Sequence, residues 1–393
     1  MPVPIPVAVI VPLLDLAAEH AAYQPELDAA WQQTLHEAAF IQGPAVGEFA
    51  AALGTHLGQL GSPESHVENP HLVPCANGTD ALLLALLSLE LPPGTEVIVP
   101  AFTYIAPLEA AALLGLRPVL ADVLTDTFNL DPAAVRAALT PRTGAVIAVH
   151  LFGQCADLEE LTRVCRAAGV ALIEDNAQAL GATYTFASGR RAAAGTVGEV
   201  GTTSFFPSKN LGCLGDGGAL FTADPARAER LRQLASHGQS QKYQHQRLGL
   251  NSRLDTLQAA LLLVKLRHLP AAQARRQAIA ARYDAALATA VGVHRPARDP
   301  RSSHVFHQYT LTVEASDGRD ALQQLLRQYG IASAVYYPLA VHEQPGYTFL
   351  NYKPGDFPVA ERLSRQLLSL PVHPALTAAQ VEHVVEQLVC FNP

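Results

Sequence analysis

Lysine is scarce in this 393-residue chain. Of 27 lysines and arginines, only Lys209, Lys242, Lys265 and Lys353 are lysines. Arginine keeps its proton in a protein, whereas lysine can become a neutral nucleophile. A lysine retained in so arginine-biased a sequence is therefore a candidate for chemistry that arginine cannot perform; chance is the alternative for any single surface lysine. Cysteine is sparse as well. Cys75, Cys155, Cys165, Cys213 and Cys390 are odd in number, widely spaced and without a CxxC pair, which argues against a disulfide framework or a zinc site and fits a reducing cytoplasm. Charged residues are only 16% of the chain against 49% hydrophobic, which excludes a disordered protein. There is no basic excess: a net charge of -8 argues against a nucleic-acid surface, although a local basic patch would still suit an anionic ligand. Long apolar runs are missing too. The longest, Ala81 to Leu89, is too short to cross a bilayer and reads as a buried helix. The apolar, proline-rich stretch Met1 to Leu14 lacks the basic region and cleavage site of a signal peptide.

What is present is an alternation of strands and helices. Apolar strands are expected at Glu96–Pro100, Pro118–Asp122, Ala145–His150 and Val170–Ile173, the last ending at Glu174-Asp175. Helices are expected at Ala106–Leu114, from Asp131-Pro132 onward, and at Asp157–Ala168 with Gly169 as its stop. Near-continuous apolar strands joined by helical crossovers predict a doubly wound, mostly parallel α/β sheet. Leu254 to Leu287 is helical, with a break expected at Pro270, and leads into a smaller α/β lobe with a strand at Gln308–Val313 and a helix at Asp320–Tyr329. The expected division is a large domain over 1–265, whose first 30 residues pack on the small lobe, and a small domain over 266–393.

In doubly wound sheets, ligands sit beyond the carboxyl ends of the strands. Four features gather there. Asp175 ends a strand and suits a cationic ring nitrogen such as that of pyridoxal phosphate, or equally a helix cap. Ser204 and Lys209 follow another strand. Lys209, desolvated on a turn, becomes a Schiff-base nucleophile; an exposed lysine on an ordinary turn is the alternative. Gly78 and Thr79 open an apolar helix and offer amides and a hydroxyl to a phosphate, where a plain cap is the simpler reading. Tyr104 follows a strand and suits stacking on a planar group, or core packing. Together they ask for a planar, phosphorylated, aldehyde-bearing cofactor with a basic ring nitrogen.

Phe40-Ile41-Gln42-Gly43-Pro44, Asn77-Gly78-Thr79-Asp80, Pro100-Ala101-Phe102-Thr103-Tyr104, His150-Leu151-Phe152-Gly153, Glu174-Asp175-Asn176-Ala177-Gln178, Ser204 to Lys209, Gly215 to Gly218, Asn251-Ser252-Arg253 and Leu370-Pro371 follow in one order. In this the sequence resembles the DegT/DnrJ/EryC1/StrS family of sugar aminotransferases, of fold type I, over nearly the whole chain. The resemblance implies that pyridoxal 5'-phosphate is bound covalently by Lys209, with Asp175 on its ring nitrogen, Gln178 beside the ring, Tyr104 stacked, and Gly78, Thr79 and Ser204 on the phosphate. Asn251 would reach the phosphate of the neighbouring subunit, so a homodimer with shared active sites is implied. L-glutamate is the implied amino donor and a nucleotide-linked ketosugar the acceptor. Some members carry histidine instead of the lysine and act as dehydratases; Lys209 points to transamination.

Around His237 to Gln258 the chain looks most like members that aminate a UDP-linked 3-keto hexuronic acid. There Arg253 would pair with the sugar carboxylate, and Tyr336, Tyr337 and His342 would line the substrate. Tyr336-Tyr337 stands where those members often have His-Tyr. A dTDP-linked 3- or 4-keto-6-deoxyhexose is the alternative substrate, and a non-enzymatic regulator of the same fold the alternative of another class. No metal, nucleic acid or membrane is expected. His307 is read as a hydrogen-bonding histidine.

Overall fold

Seven strands build the central sheet: β1 (His71–Cys75), β2 (Glu96–Pro100), β3 (Arg117–Ala121), β4 (Thr143–Val149), β5 (Ala171–Asp175), β6 (Val200–Ser204) and β7 (Gly218–Thr222). Their order is β1-β7-β6-β5-β4-β2-β3. All neighbours from β6 to β3 are parallel, and β7 runs antiparallel between β6 and β1. The structure, a computed structural model, describes residues 9–62, 70–315 and 317–391.

The sheet is buried on both faces, which explains its apolar strands. Successive side chains of β2, β4 and β5 feed two different cores. Val97, Val99, Ile147 and Ile173 pack with the helix Gly78–Ser88. Ile98, Val146, Ala148 and Leu172 pack with the helix Leu158–Ala168, which Asp157 caps and left-handed Gly169 ends. This alternation points Asp175 and Glu174, at the end of β5, to opposite faces.

A second, antiparallel sheet holds β8 (Val293–His294), β9 (Tyr309–Val313) and β10 (Leu367–Leu370). It shares a core with the helices Gly318–Gln328 and Ala378–Cys390. Val11 joins this core and exchanges backbone bonds with Gly330 and Ala332 at 2.9 Å each. The first eight residues of the N-terminal segment lie outside the described residues.

The helix break expected at Pro270 does not occur. One helix runs from Thr256 to Ala286 through it. Proline removes one ladder bond and crowds the carbonyl four residues back. Here Pro270 itself is exposed. Burial on each side holds the helix together: Ala259, Leu262, Leu266 and Leu269 pack with Phe205 and Phe221, and Ile279, Ala280 and Tyr283 join the second core. That packing outweighs the ~3 kcal/mol that proline costs in a helix interior.

Candidate active site

The carboxyl ends of β1, β4, β5 and β6 deliver the polar residues. After β1, Asn77 caps the helix Gly78–Ser88 by accepting from the amide of Asp80 at 2.8 Å. The amides of Gly78 and Thr79 precede that bond and have no partner among the described residues. Gly78 lies against the end of β6 so closely that a Cβ there would stand 2.6 Å from Cβ of Ser204. Two free amides at a helix N-terminus and the hydroxyls of Thr79 and Ser204 form a cradle for an anion.

Asp175 is buried at the end of β5 and accepts from the amide of Ala177 at 3.0 Å. Burial raises its pKa above the usual carboxylate value, while the Ala177 amide and the charge of Lys209 pull it back. Lys209 sits in the loop after β6. Its amide donates to Phe206 (2.8 Å), and Cys213 donates to Phe205 (2.7 Å) to close the loop. Gly212 permits that closure, since a Cβ there would meet the Pro207 carbonyl oxygen at 2.4 Å. Burial pushes the Lys209 amine down to about 8, with Asp175 acting in the other direction. The two groups feel each other's charge but form no ion pair within 4.0 Å.

A depressed amine has a direct consequence. Below pH 8 the ammonium dominates; above it the nucleophilic free amine does. Covalent capture of an aldehyde by Lys209 in the apoprotein is therefore expected to speed up about tenfold between pH 7 and pH 9. Stopped-flow absorbance across that range measures it, and a rate that only rises above pH 10 would mean an ordinary, solvated lysine.

Gln178 is fixed on both ends: Oε1 accepts from the amide of Phe152 (2.7 Å), and Nε2 donates to the Tyr337 hydroxyl (3.0 Å). The Tyr337 ring lies 6.1 Å from Tyr104 and 6.0 Å from both Phe102 and Tyr336. Tyr104 itself is 57% exposed, so one face of an aromatic wall remains open. Ser252 accepts from the amide of Ala76 at 3.2 Å, which ties the Asn251–Arg253 segment to the end of β1, beside the cradle. Asn251 is exposed, and Arg253 is partly exposed with no ion pair among the described residues. His342 stands apart: it is buried, its Nε2 meets Glu361 at 3.1 Å and its ring packs on Phe357. Among the described residues it makes no hydrogen bond to the others.

His307 lies close to this group. His307 is pushed well below the usual histidine pKa, first by burial and then by the charges of Lys209 and Arg276. Its segment is stitched to the site by bonds from Val305 to Gly153 (2.9 Å) and from the Asn210 amide to Val305 (3.3 Å).

Residues 22–389 match the DegT/DnrJ/EryC1/StrS aminotransferase family. The chain belongs to this family. A UDP-2-acetamido-2-deoxy-3-oxo-D-glucuronate aminotransferase of Pseudomonas aeruginosa is 41% identical over 379 residues, 96% of this chain and 99% of that one. A dTDP-3-amino-3,4,6-trideoxy-alpha-D-glucose transaminase of Streptomyces venezuelae is 41% identical over 376 residues, 96% of this chain and 94% of that one. The crystal structure of S. venezuelae DesV in complex with a ketimine intermediate superposes with a TM-score of 0.89 at 40% identity, covering 97% and 98% of the two chains. The PLP form of a sugar aminotransferase of Streptococcus pneumoniae gives 0.83 at 26% identity, covering 93% and 95%. The protein is a pyridoxal phosphate-dependent aminotransferase of fold type I, and the anion cradle, the strand-end carboxylate and the desolvated lysine fit that cofactor. Bound there, it supplies an electron sink for cleavage next to an amine.

Proposed function

We propose that this aminotransferase moves the amino group of L-glutamate to a nucleotide-linked ketosugar, best a UDP-linked 3-keto hexuronic acid or its N-acetyl derivative, in surface-polysaccharide or related sugar synthesis. The observation that carries the reaction is Lys209, desolvated opposite Asp175 and beside the Gly78–Ser204 cradle. In this reading Lys209 holds the cofactor covalently and, when released, its free amine moves a proton to and from the substrate carbon. Asp175 would pair with the ring nitrogen. Gln178 and Tyr104 would flank the ring, and Gly78, Thr79 and Ser204 would hold the phosphate. Tyr336 and Tyr337 line the sugar site. His342, whose Nε2 is bonded to Glu361, lines the sugar site in this reading.

The uronic acid rests on Arg253, whose guanidinium has no carboxylate partner among the described residues and suits a bidentate bond to one. A dTDP-linked ketodeoxyhexose is the second reading, favoured by the equal identity to the Streptomyces enzyme. Loading the enzyme with cofactor, converting it with L-glutamate and offering both sugars tests the pair. With the uronic acid, Arg253→Lys should raise KM about tenfold or more with kcat little changed, since lysine replaces a forked bond by a single one. An unchanged KM would remove the uronic acid from Arg253. Absence of any conversion by glutamate would remove the donor.

The active unit in this reading is a homodimer. Phe40 and Ile41, which bond to Thr256 and Asp255, and Leu214, which bonds to Gln258, are exposed apolar residues around the start of the long helix, near exposed Asn251. A second copy covering them would bring Asn251 to its partner's phosphate. We read the chain as a large domain over 1–265 and a small one over 266–393. No helix among the described residues is long and apolar enough to cross a membrane, and four buried free thiols support a cytoplasmic location.

A further inference from the structure

His150 and Glu174 lie in motifs of the sequence, yet neither is needed to hold cofactor or sugar. Both are fully buried, at 0% exposure. Glu174 immediately precedes Asp175 on β5 and points to the opposite face of the sheet, among Ala148, Leu172 and other apolar residues. Its carboxylate collects four donors: Nε2 of His150 at 2.9 Å and the amides of Gly195 at 2.9 Å and of Val197 and Gly198 at 2.6 Å each. Burial alone would raise this carboxyl; the bond from His150 and the Gly198 and Gly195 amides outweigh it and hold the pKa below the usual value. His150 is fixed in turn. Its Nδ1 accepts from the amide of Ala156 at 3.1 Å, so Nε2 carries the proton given to Glu174. Its own amide donates to the carbonyl oxygen of Asp175 at 3.0 Å.

A buried carboxylate without a lysine or arginine beside it is costly. The packing on that face does not require one, because the neighbouring positions are apolar. What the arrangement accomplishes is local: His150 holds the main chain of Asp175 through its own backbone amide and, through its ring, the carboxylate directly behind it.

We propose that His150 and Glu174 are a positioning pair for Asp175, locking the end of β5 and keeping a fixed negative charge behind it, so that a proton on the ring nitrogen of the bound cofactor is retained. The proposal rests on the reading of Asp175 as the partner of that nitrogen. Outer partners of ligating groups act in the same way at metal sites.

Two substitutions separate the bonds of His150. Asn at this position can replace Nδ1 and accept from Ala156 but cannot reach Glu174. Gln can replace Nε2 and keep the bond to Glu174. Binding of pyridoxal phosphate to apoprotein is measured by visible absorption as a function of pH, with circular dichroism as the check on folding. His150→Asn should raise the dissociation constant about tenfold, the size of a lost hydrogen bond to a charged group, and lower the pH at which the cofactor band changes. His150→Gln should stay within about twofold of wild type. In an Asp175→Asn background, His150→Asn should add nothing, since the effect passes through the Asp175 carboxylate. Wild-type binding and spectrum in His150→Asn would overturn the proposal, as would full additivity with Asp175→Asn. If His150→Asn does not fold, folded His150→Gln decides: binding much weaker than wild type overturns the pair. Failure of the wild-type protein itself to bind the cofactor would instead overturn the reading of the whole site.

Discussion

Lys209→Ala is expected to lower transamination at least about ten-thousand-fold, the upper range for a positioned proton-transfer group, because one side chain carries both the covalent link and the proton transfer. Only four lysines are present, and the others sit elsewhere: Lys265 is buried against His20 at 3.1 Å, and Lys242 and Lys353 are exposed. None can take over. Borohydride treatment of cofactor-loaded wild type should fix one cofactor per chain, and peptide mapping should find it on Lys209. The variant should remain folded and still bind the cofactor noncovalently, since the cradle of Gly78, Thr79 and Ser204 is untouched. Removing a charge that burial already disfavours costs the fold little. Retained turnover in the folded variant would refute the role given to Lys209.

Asp175→Asn is the second large effect. The substitution keeps shape and the bond from Ala177 but removes the charge that would stabilise a protonated ring nitrogen. Loss of that electron sink should cut kcat about a hundred-fold or more, with much less change in KM for the sugar. The pH profile should change as well. Burial raises the pKa of Asp175, so in wild type activity should fall at a higher pH on the acid side than for an ordinary carboxylate, as the group takes up its proton. Asparagine has no such titration, and its residual activity should lose that acid limb. An identical acid limb in the variant would assign it to another group.

The legibility of the site in the sequence followed from how local each residue's task is. Strand ends are marked by apolar runs that stop, so Asp175 and Ser204 were visible. Gly78 and Thr79 were visible because a helix start has its own chemistry, although the close approach to Ser204 that makes glycine necessary was not. Lys209 stood out through the rarity of lysine and through order among the motifs. The relation of His307 to Lys209 was not legible, because it depends on pairing between segments about 150 residues apart, around Gly153 and Val305. His342 was expected at the sugar, but its bond to Glu361 was not legible. A single histidine in sequence carries no information on which face it will occupy.

The sequence by itself determined the class of fold, the family, the cofactor and the lysine, because hydrophobic period, helix starts and ordered motifs are properties of short stretches of chain. Only the tertiary structure decided that the long helix passes Pro270 unbroken, that His342 is engaged by Glu361, and that His150 and Glu174 stand behind Asp175. Those outcomes depend on which distant residues bury one another, and burial sets both the packing that overrides local propensity and the pKa shifts that make ordinary side chains reactive.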